Sequence, residues 1–442
     1  MSHSSNSNLT RTFSPKGASG ARRGSATDFT SAAAELLQIV CSDYRGPVAI
    51  RLWDGDTVVG NANARCCLVL NKPSPLRDLV LSRDMLALAE SHLTGDVEVE
   101  GNLESLFDLL DYLDTYRPAL SDKLRILSLA LKLPAGEGAS WRRLLPGHAV
   151  VRDRNTRETI SHHYDVSNDF YRLWLDPEMV YSCAYFAHPE QTLEEAQREK
   201  LDYICRKLRL ESGQRLLDIG CGWGALGLWA ARNYGVTVHG ITLSTQQCDY
   251  AQERARELNV TDRVHFELRD YRDLDRGARY ERIVSVGMFE HIGINNFPTY
   301  FGIISQLLEP GGLFLNHGIT NDSGWQPNDV RRFINKYIFP DAELTRISTV
   351  VTAMEDAGFE ILDAESLRPH YALTLRRWVQ ALEQNREEAI RLVGESTYRL
   401  WRVYMSGCAW YFDSGNTGLY QVLAGKLHSP WPVPLRRSDL YG

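Results

Sequence analysis

An acid and an imidazole stand side by side, Glu290 and His291, after the apolar run Ile283-Val284-Ser285-Val286 and the turn Gly287-Met288-Phe289. The run reads as a buried strand. Either group left unpaired in an interior would cost several kcal/mol, so a ligand or a moving proton is the natural reason for placing them there. The plainer alternative is a carboxylate that caps the following turn. His291 reads as orienting Glu290 or as packing. A second constellation is the turn Asp218-Ile219-Gly220-Cys221-Gly222-Trp223-Gly224. Glycines let a chain turn tightly and let a ligand approach the backbone. Their Gly-x-Gly-x-Gly spacing is not the Gly-x-Gly-x-x-Gly of a dinucleotide loop. The next strand ends in Thr242-Leu243-Ser244 and then Gln246-Gln247, with no acid for a ribose. A phosphate-binding Gly-Lys-Ser/Thr is absent.

The elements that must hold these residues alternate. Strands are expected at 214–220, 236–244, 264–270, 281–287 and 311–319, and helices at 225–234, 246–259 and 297–308. Such alternation implies right-handed crossovers and a parallel, doubly wound sheet with ligands outside the strands' carboxyl ends. Upstream, 32–40 reads as a helix and 48–60 as a hairpin turning at Asp54-Gly55. One amphipathic helix is expected from the stretch beginning Pro75-Leu76-Arg77, and another from Asn102-Leu103-Glu104. The expected organisation is a disordered tail (1–28), a small α+β domain (29–132), a linker (133–157), a catalytic domain (158–425) and a C-terminal tail (426–442).

The glycine turn, with Leu308-Glu309-Pro310-Gly311-Gly312 before a later strand, resembles S-adenosylmethionine methyltransferases. More specific pieces are Tyr181-Ser182-Cys183-Ala184-Tyr185-Phe186, residues 216–224, 242–247 and 270–274, and the stretches 282–291 and 334–344. Together they resemble the cyclopropane fatty acid synthase family, which includes mycolic acid cyclopropane synthases and related lipid C-methyltransferases. The match runs from about 155 to 425, and residues 95–107 resemble that family's N-terminal lipid-binding domain. The resemblance implies an α/β, Rossmann-like class I methyltransferase with a mostly parallel seven-stranded sheet. It implies S-adenosyl-L-methionine as methyl donor, held by Tyr181, Ser182, Asp218, Gly220, Cys221, Gly222, Gly224, Thr242, Leu243, Ser244, Gln247, Asp270 and Tyr271. Loop amides would meet the methionine carboxylate, and Asp270 the adenine amine. It further implies a bicarbonate ion, held by Cys183, Glu290, His317, Tyr371 and the Ile319 amide, that takes a proton from the methylated alkene. Cys183 reads equally well as a small packing residue. Cys408 matches a cysteine proposed as catalytic in the family, although this mechanism needs no thiolate. Aromatic faces that tolerate a carbocation are expected among Tyr164, Phe170, Tyr171, Trp174, Tyr185, Phe186, Tyr337 and Phe339.

The implied substrate is an unsaturated acyl chain in a phospholipid, met at a transient membrane surface. Arg142-Arg143, Arg331-Arg332 and Arg376-Arg377 are the expected phosphate contacts, with solvated charge as the alternative. A net charge of -7 argues against nucleic acid. No stretch approaches ~18 uncharged apolar residues, so no spanning helix is expected. With no secretory signal and eight scattered cysteines, the reading is cytoplasmic, peripheral to the membrane's inner face, without a metal site. The oligomeric state stays open, a homodimer included. Rival readings are a methyl- or methylene-branching lipid C-methyltransferase, a small-molecule N- or O-methyltransferase and a non-catalytic lipid binder.

Overall fold

Asp54-Gly55 turns the first hairpin as its dipeptide demands: Gly55 has φ +97°, and strands β1 (Val48–Arg51) and β2 (Thr57–Val59) pair antiparallel around it. The computed structural model describes residues 26–60, 63–136, 167–321, 329–339 and 343–440. Residues 1–25 of the expected tail, 137–157 of the expected linker, Arg142, Arg143 and Tyr164 lie outside them.

In the N-terminal domain, β3 (Cys66–Leu70) and β4 (Val97–Gly101) complete a sheet of order β2-β1-β3-β4. Helices Ala26–Val40 and Leu120–Lys132 contribute Leu36, Leu37, Ile126 and Leu129 to its core. The single helix expected after residue 74 is two, Ser74–Ser82 and Met85–Leu93. Arg83 turns left-handed at φ 53°, and Asp84 caps the second helix by accepting the Leu86 amide at 3.1 Å.

The second sheet contains β5 (Arg215–Ile219), β6 (Thr237–Thr242), β7 (Val264–Leu268), β8 (Tyr280–Val286), β9 (Leu308–Thr320), β10 (Phe359–Ser366) and β11 (Gly418–Lys426). Their order is β10-β11-β9-β8-β5-β6-β7. β11 inserts antiparallel between β9 and β10, and the pairings from β9 to β7 are parallel. The chain runs from β5 to β6 on one side and resumes with β8 on the other. The ligand crevice of such a sheet opens at that reversal.

The helix Glu395–Ser414 joins the two domains. Buried Arg402 donates to the Val99 and Gly101 carbonyls at 2.9 and 2.7 Å, and Arg399 to the His92 carbonyl at 3.1 Å. Phe107 stacks on Trp410. Two arginines expected at lipid phosphates serve this junction: Arg376 pairs with Glu104 and Asp413, and Arg332 with Asp84. Arg377 donates to the Pro189 carbonyl. Beyond β11 the chain packs back onto the helix Leu193–Lys207, where Arg206 holds the Leu440 carbonyl at 2.5 Å. Among the described residues no helix is long and apolar enough to cross a membrane.

Candidate active site

The crevice at the end of β5 is a cleft whose walls include Tyr181, Ser182, Asp218, Gly220, Gly222 and Thr242. Cys221, Leu243, Gln247 and Tyr271 also border it. Gly222 has φ +56° and open space where a Cβ would stand. Three expected cofactor residues also do local work. A Cβ on Gly224 would lie 2.8 Å from Ala251, so this glycine allows helix and sheet to close. Ser244 caps the helix Thr245–Glu257 through the Gln247 amide. The Asp270 carboxylate is gripped by Arg272 at 2.9 and 2.7 Å. Within the glycine loop, the amides of Gly220 and Cys221 both donate to the Ile241 carbonyl at 2.9 Å.

The residues expected to hold bicarbonate lie at the neighbouring strand ends. Val286 pairs with His317 across β8 and β9, and the Gly287 amide donates to the His317 carbonyl at 2.8 Å. Glu290 is buried on the short helix Phe289–Ile292. Its Oε1 accepts the Ile319 amide at 3.4 Å, while Oε2 is buried with no partner among the described residues. Burial pushes the Glu290 carboxyl up to about 7. Burial, with help from Lys200 and Lys207, pulls His317 down to about 3, so its ring is neutral. Gln421 Nε2 lies 3.2 Å from His317 Nδ1. With that amide nitrogen as donor, Nδ1 accepts and the ring proton sits on Nε2.

Cys183 belongs to a buried cluster built on aromatic rings, and half-buried Ile319 and Tyr371 pack against it. The Cys183 thiol donates toward the Leu367 carbonyl at 3.9 Å, and the Tyr371 amide reaches the same carbonyl. Burial raises the Cys183 thiol strongly and the Cys408 thiol to about 12, so neither is poised as a thiolate.

Of the expected aromatic faces, Phe170, Tyr171 and Trp174 pack with Tyr181, Trp223, Trp378 and Trp401. Tyr185 stacks on His370, near Phe186, and the Tyr337 hydroxyl donates to Glu90. Phe339 lies against His291, itself a wall of the cleft. Sequence reasoning missed Trp378, Trp401, Tyr404 and Gln421, which come from distant segments. It also missed Lys200, buried at the cleft wall.

A cleft at the reversal of this sheet order, floored by a glycine turn, defines a class I methyltransferase fold. The chain matches the model of mycolic acid cyclopropane synthetase over residues 151–422, and it belongs to that family. Residues 36–112 match a domain of unknown function. A probable fatty acid methyltransferase of Pseudomonas putida is 39% identical over 89% of this chain and 96% of its own length. The cyclopropane-fatty-acyl-phospholipid synthase of Escherichia coli K12 is 41% identical over 59% of this chain and 66% of its own. Among solved structures, mycolic acid cyclopropane synthase CmaA1 complexed with SAH and CTAB superposes with a TM-score of 0.59 at 36% identity, over 62% of this chain and 99% of that one.

Proposed function

We propose that the protein transfers a methylene unit from S-adenosyl-L-methionine to the cis double bond of an acyl chain in a phospholipid, forming a cyclopropane fatty acid. The alkene π pair attacks the sulfonium methyl carbon and the C–S pair leaves on sulfur. The carbocation closes to a ring when the new methyl loses a proton. Exclusion of water and a cation-tolerant wall are the needs of that path, and the rings around Tyr181, Trp378 and Trp401 are suited to them. The observation that carries the reading is the buried Glu290 Oε2, unpartnered among the described residues, at a strand end that adjoins that of a neutral His317. Cys183, Glu290, His317, Tyr371 and the Ile319 amide would hold bicarbonate, which would supply the base. Bicarbonate brings its own O–H, so it suits a carboxylate acceptor opposite an imidazole N–H donor.

The substrate's setting is read from the N-terminal domain. Leu120, Leu124, Leu127 and Leu131 are exposed along one side of the helix Leu120–Lys132, with Lys123 and Lys132 near them. Behind that helix lies a cavity of about 750 Å³ bordered by Leu36, Leu79, Leu109 and Leu127, and by Arg83 and Arg117. An apolar stripe with basic neighbours suits a peripheral contact with an anionic bilayer. A second reading, lipid C-methylation giving a branched chain, is favoured by the probable fatty acid methyltransferase that the chain matches over 89% of its length. Expression in a bacterium lacking its own cyclopropane synthase, followed by NMR and mass spectrometry of total lipids, tests both. Cyclopropane methylene protons support the first reading and branched chains the second. Unmodified acyl chains overturn both.

A further inference from the structure

Two histidines and a glutamate meet at the edge of the large sheet. His239 on β6 stands opposite His265 on the edge strand β7, and Glu267 follows His265 two residues on. Opposed residues of paired strands share a face, as do residues two apart on one strand, so all three side chains project from the same side of the sheet. None of them lines the cofactor cleft. The scattered cysteines carry no metal motif, and these three residues come together only through the pairing of β6 with β7.

Their donor atoms converge. Glu267 Oε1 lies 2.6 Å from His239 Nε2, and Glu267 Oε2 lies 4.0 Å from His265 Nε2. One ligand atom from each residue falls within 4.8 Å of the other two. Two donors about 2.1 Å from one Zn²⁺ at a tetrahedral angle stand about 3.4 Å apart. The two observed separations bracket that value, so small side-chain rotations bring the donors onto a common centre. His265 is mostly exposed, which leaves a further coordination position to solvent.

Outer contacts hold the ligands in place. His239 Nδ1 is 2.6 Å from the Tyr280 hydroxyl. With Nδ1–H donating to that oxygen, Nε2 presents its lone pair toward Glu267. Arg269 Nε pairs with Glu267 Oε1 at 2.9 Å and fixes the carboxylate. Imidazoles and carboxylates that ligate metals are oriented by such second contacts. The metal-free alternative has Tyr280 donating to Nδ1 and Nε2–H donating to Glu267. It satisfies His239 and gives His265 no part.

We propose that His239, His265 and Glu267 bind a divalent metal ion of the zinc class, with solvent completing the coordination. Two imidazoles and a carboxylate suit such an ion better than Mg²⁺ or Ca²⁺, which take oxygen ligands. The ion clips the edge strand β7 to β6, and the site is independent of the reaction assigned to the cleft.

The probes are Zn²⁺ by calorimetry and Co²⁺ by visible spectroscopy, on the full, tag-free chain stripped with a chelator. Wild type should bind one equivalent of Zn²⁺ with micromolar or tighter affinity, and Zn²⁺ should raise its thermal midpoint. His265→Ala, a change at an exposed position, should keep the metal-free midpoint, weaken Zn²⁺ at least tenfold and abolish the rise. Glu267→Gln should weaken Zn²⁺ as well. His188→Ala is the control: an exposed histidine beside Glu190 alone, it should bind as wild type does. Co²⁺ should give weak visible bands without the strong near-ultraviolet thiolate absorption of a cysteine site. Thiolate absorption on the first equivalent, unchanged affinity in His265→Ala, or no saturable binding to wild type overturns the site.

Discussion

Glu290 and Ile319 face each other across the open end of the sheet, the Ile319 amide donating to Glu290 Oε1 at 3.4 Å. Between them passes Gly318, where a Cβ would stand 2.8 Å from Glu290 Oε2 and 2.2 Å from Phe289. The glycine lets the carboxylate lie on the backbone of β9, and the short helix Phe289–Ile292 holds it there.

That placement has a thermodynamic consequence. An ordinary glutamate loses its proton near 4.5, and Glu290 keeps its own to about 7. The folded state therefore binds the proton more tightly. Stability should fall as pH rises from about 4.5 to about 7, and level off above. The loss is on the order of 3 kcal/mol. Glu290→Gln keeps the shape and removes the titration. Its thermal midpoint should match wild type at pH 5 and exceed it at pH 8, while kcat drops by roughly 2 kcal/mol of barrier or more. A difference in midpoint that does not change between the two pH values would show that the carboxylate is not strained.

Gly318→Ala puts a methyl group into Phe289. It should cost about 1–3 kcal/mol, the usual penalty for overpacking, and lower turnover by displacing Glu290. Gly302→Ala is the control: it lies on the helix Phe297–Leu307 with nothing within 4 Å of the added carbon. Equal melting temperatures for the two variants would contradict the close approach.

Gly222→Val tests the turn at the end of β5. Its φ of +56° disfavours a branched side chain, and the added methyl groups would enter the cleft rather than a neighbour. Calorimetry should show S-adenosylhomocysteine binding lost while the far-ultraviolet spectrum is kept. Unchanged affinity would move the cofactor away from this loop.

The parts of the fold legible in the sequence were those written locally. β5 to β9 follow apolar runs bounded by turns, and the glycine loop sits at one strand's end. β10 and β11 were not placed, because β11 is defined by pairing with residues 313–320 and 359–366, far away in the chain. Gln421 reaches His317 only through that pairing. Lys200 reads as one charge among many on a polar helix, and nothing local says that this side faces inward. The break at Arg83 was hidden because Leu79, Leu81, Met85 and Leu88 keep a helical rhythm across it.

Arg402 should be the costliest single residue at the domain junction. Its guanidinium holds two backbone carbonyls of the N-terminal domain and the Glu383 carboxylate. Arg402→Met leaves all three acceptors unmatched, a loss of about 3 kcal/mol or more. Calorimetry should show a lower midpoint and two transitions where wild type has one. A single unshifted transition would mean that the junction is held elsewhere.

The leucine stripe decides whether the N-terminal domain meets lipid directly. Leu120, Leu124, Leu127 and Leu131 are 73%, 61%, 43% and 56% exposed, so the fold gains little from them. Burying such a side chain in an apolar phase yields about 1.5–3 kcal/mol each, and the nearby Lys123 and Lys132 favour an anionic surface. Leu124→Asp with Leu131→Asp adds charge at exposed positions, where the stability cost should stay near 1 kcal/mol. Wild-type protein should float with phosphatidylglycerol vesicles on a density gradient, and the double variant should not. Turnover of vesicle-bound substrate should fall with it, while S-adenosylhomocysteine affinity stays the same. Flotation of both proteins alike would remove the stripe from membrane contact. Sedimentation showing a wild-type dimer and a monomeric variant would assign the stripe to self-association instead.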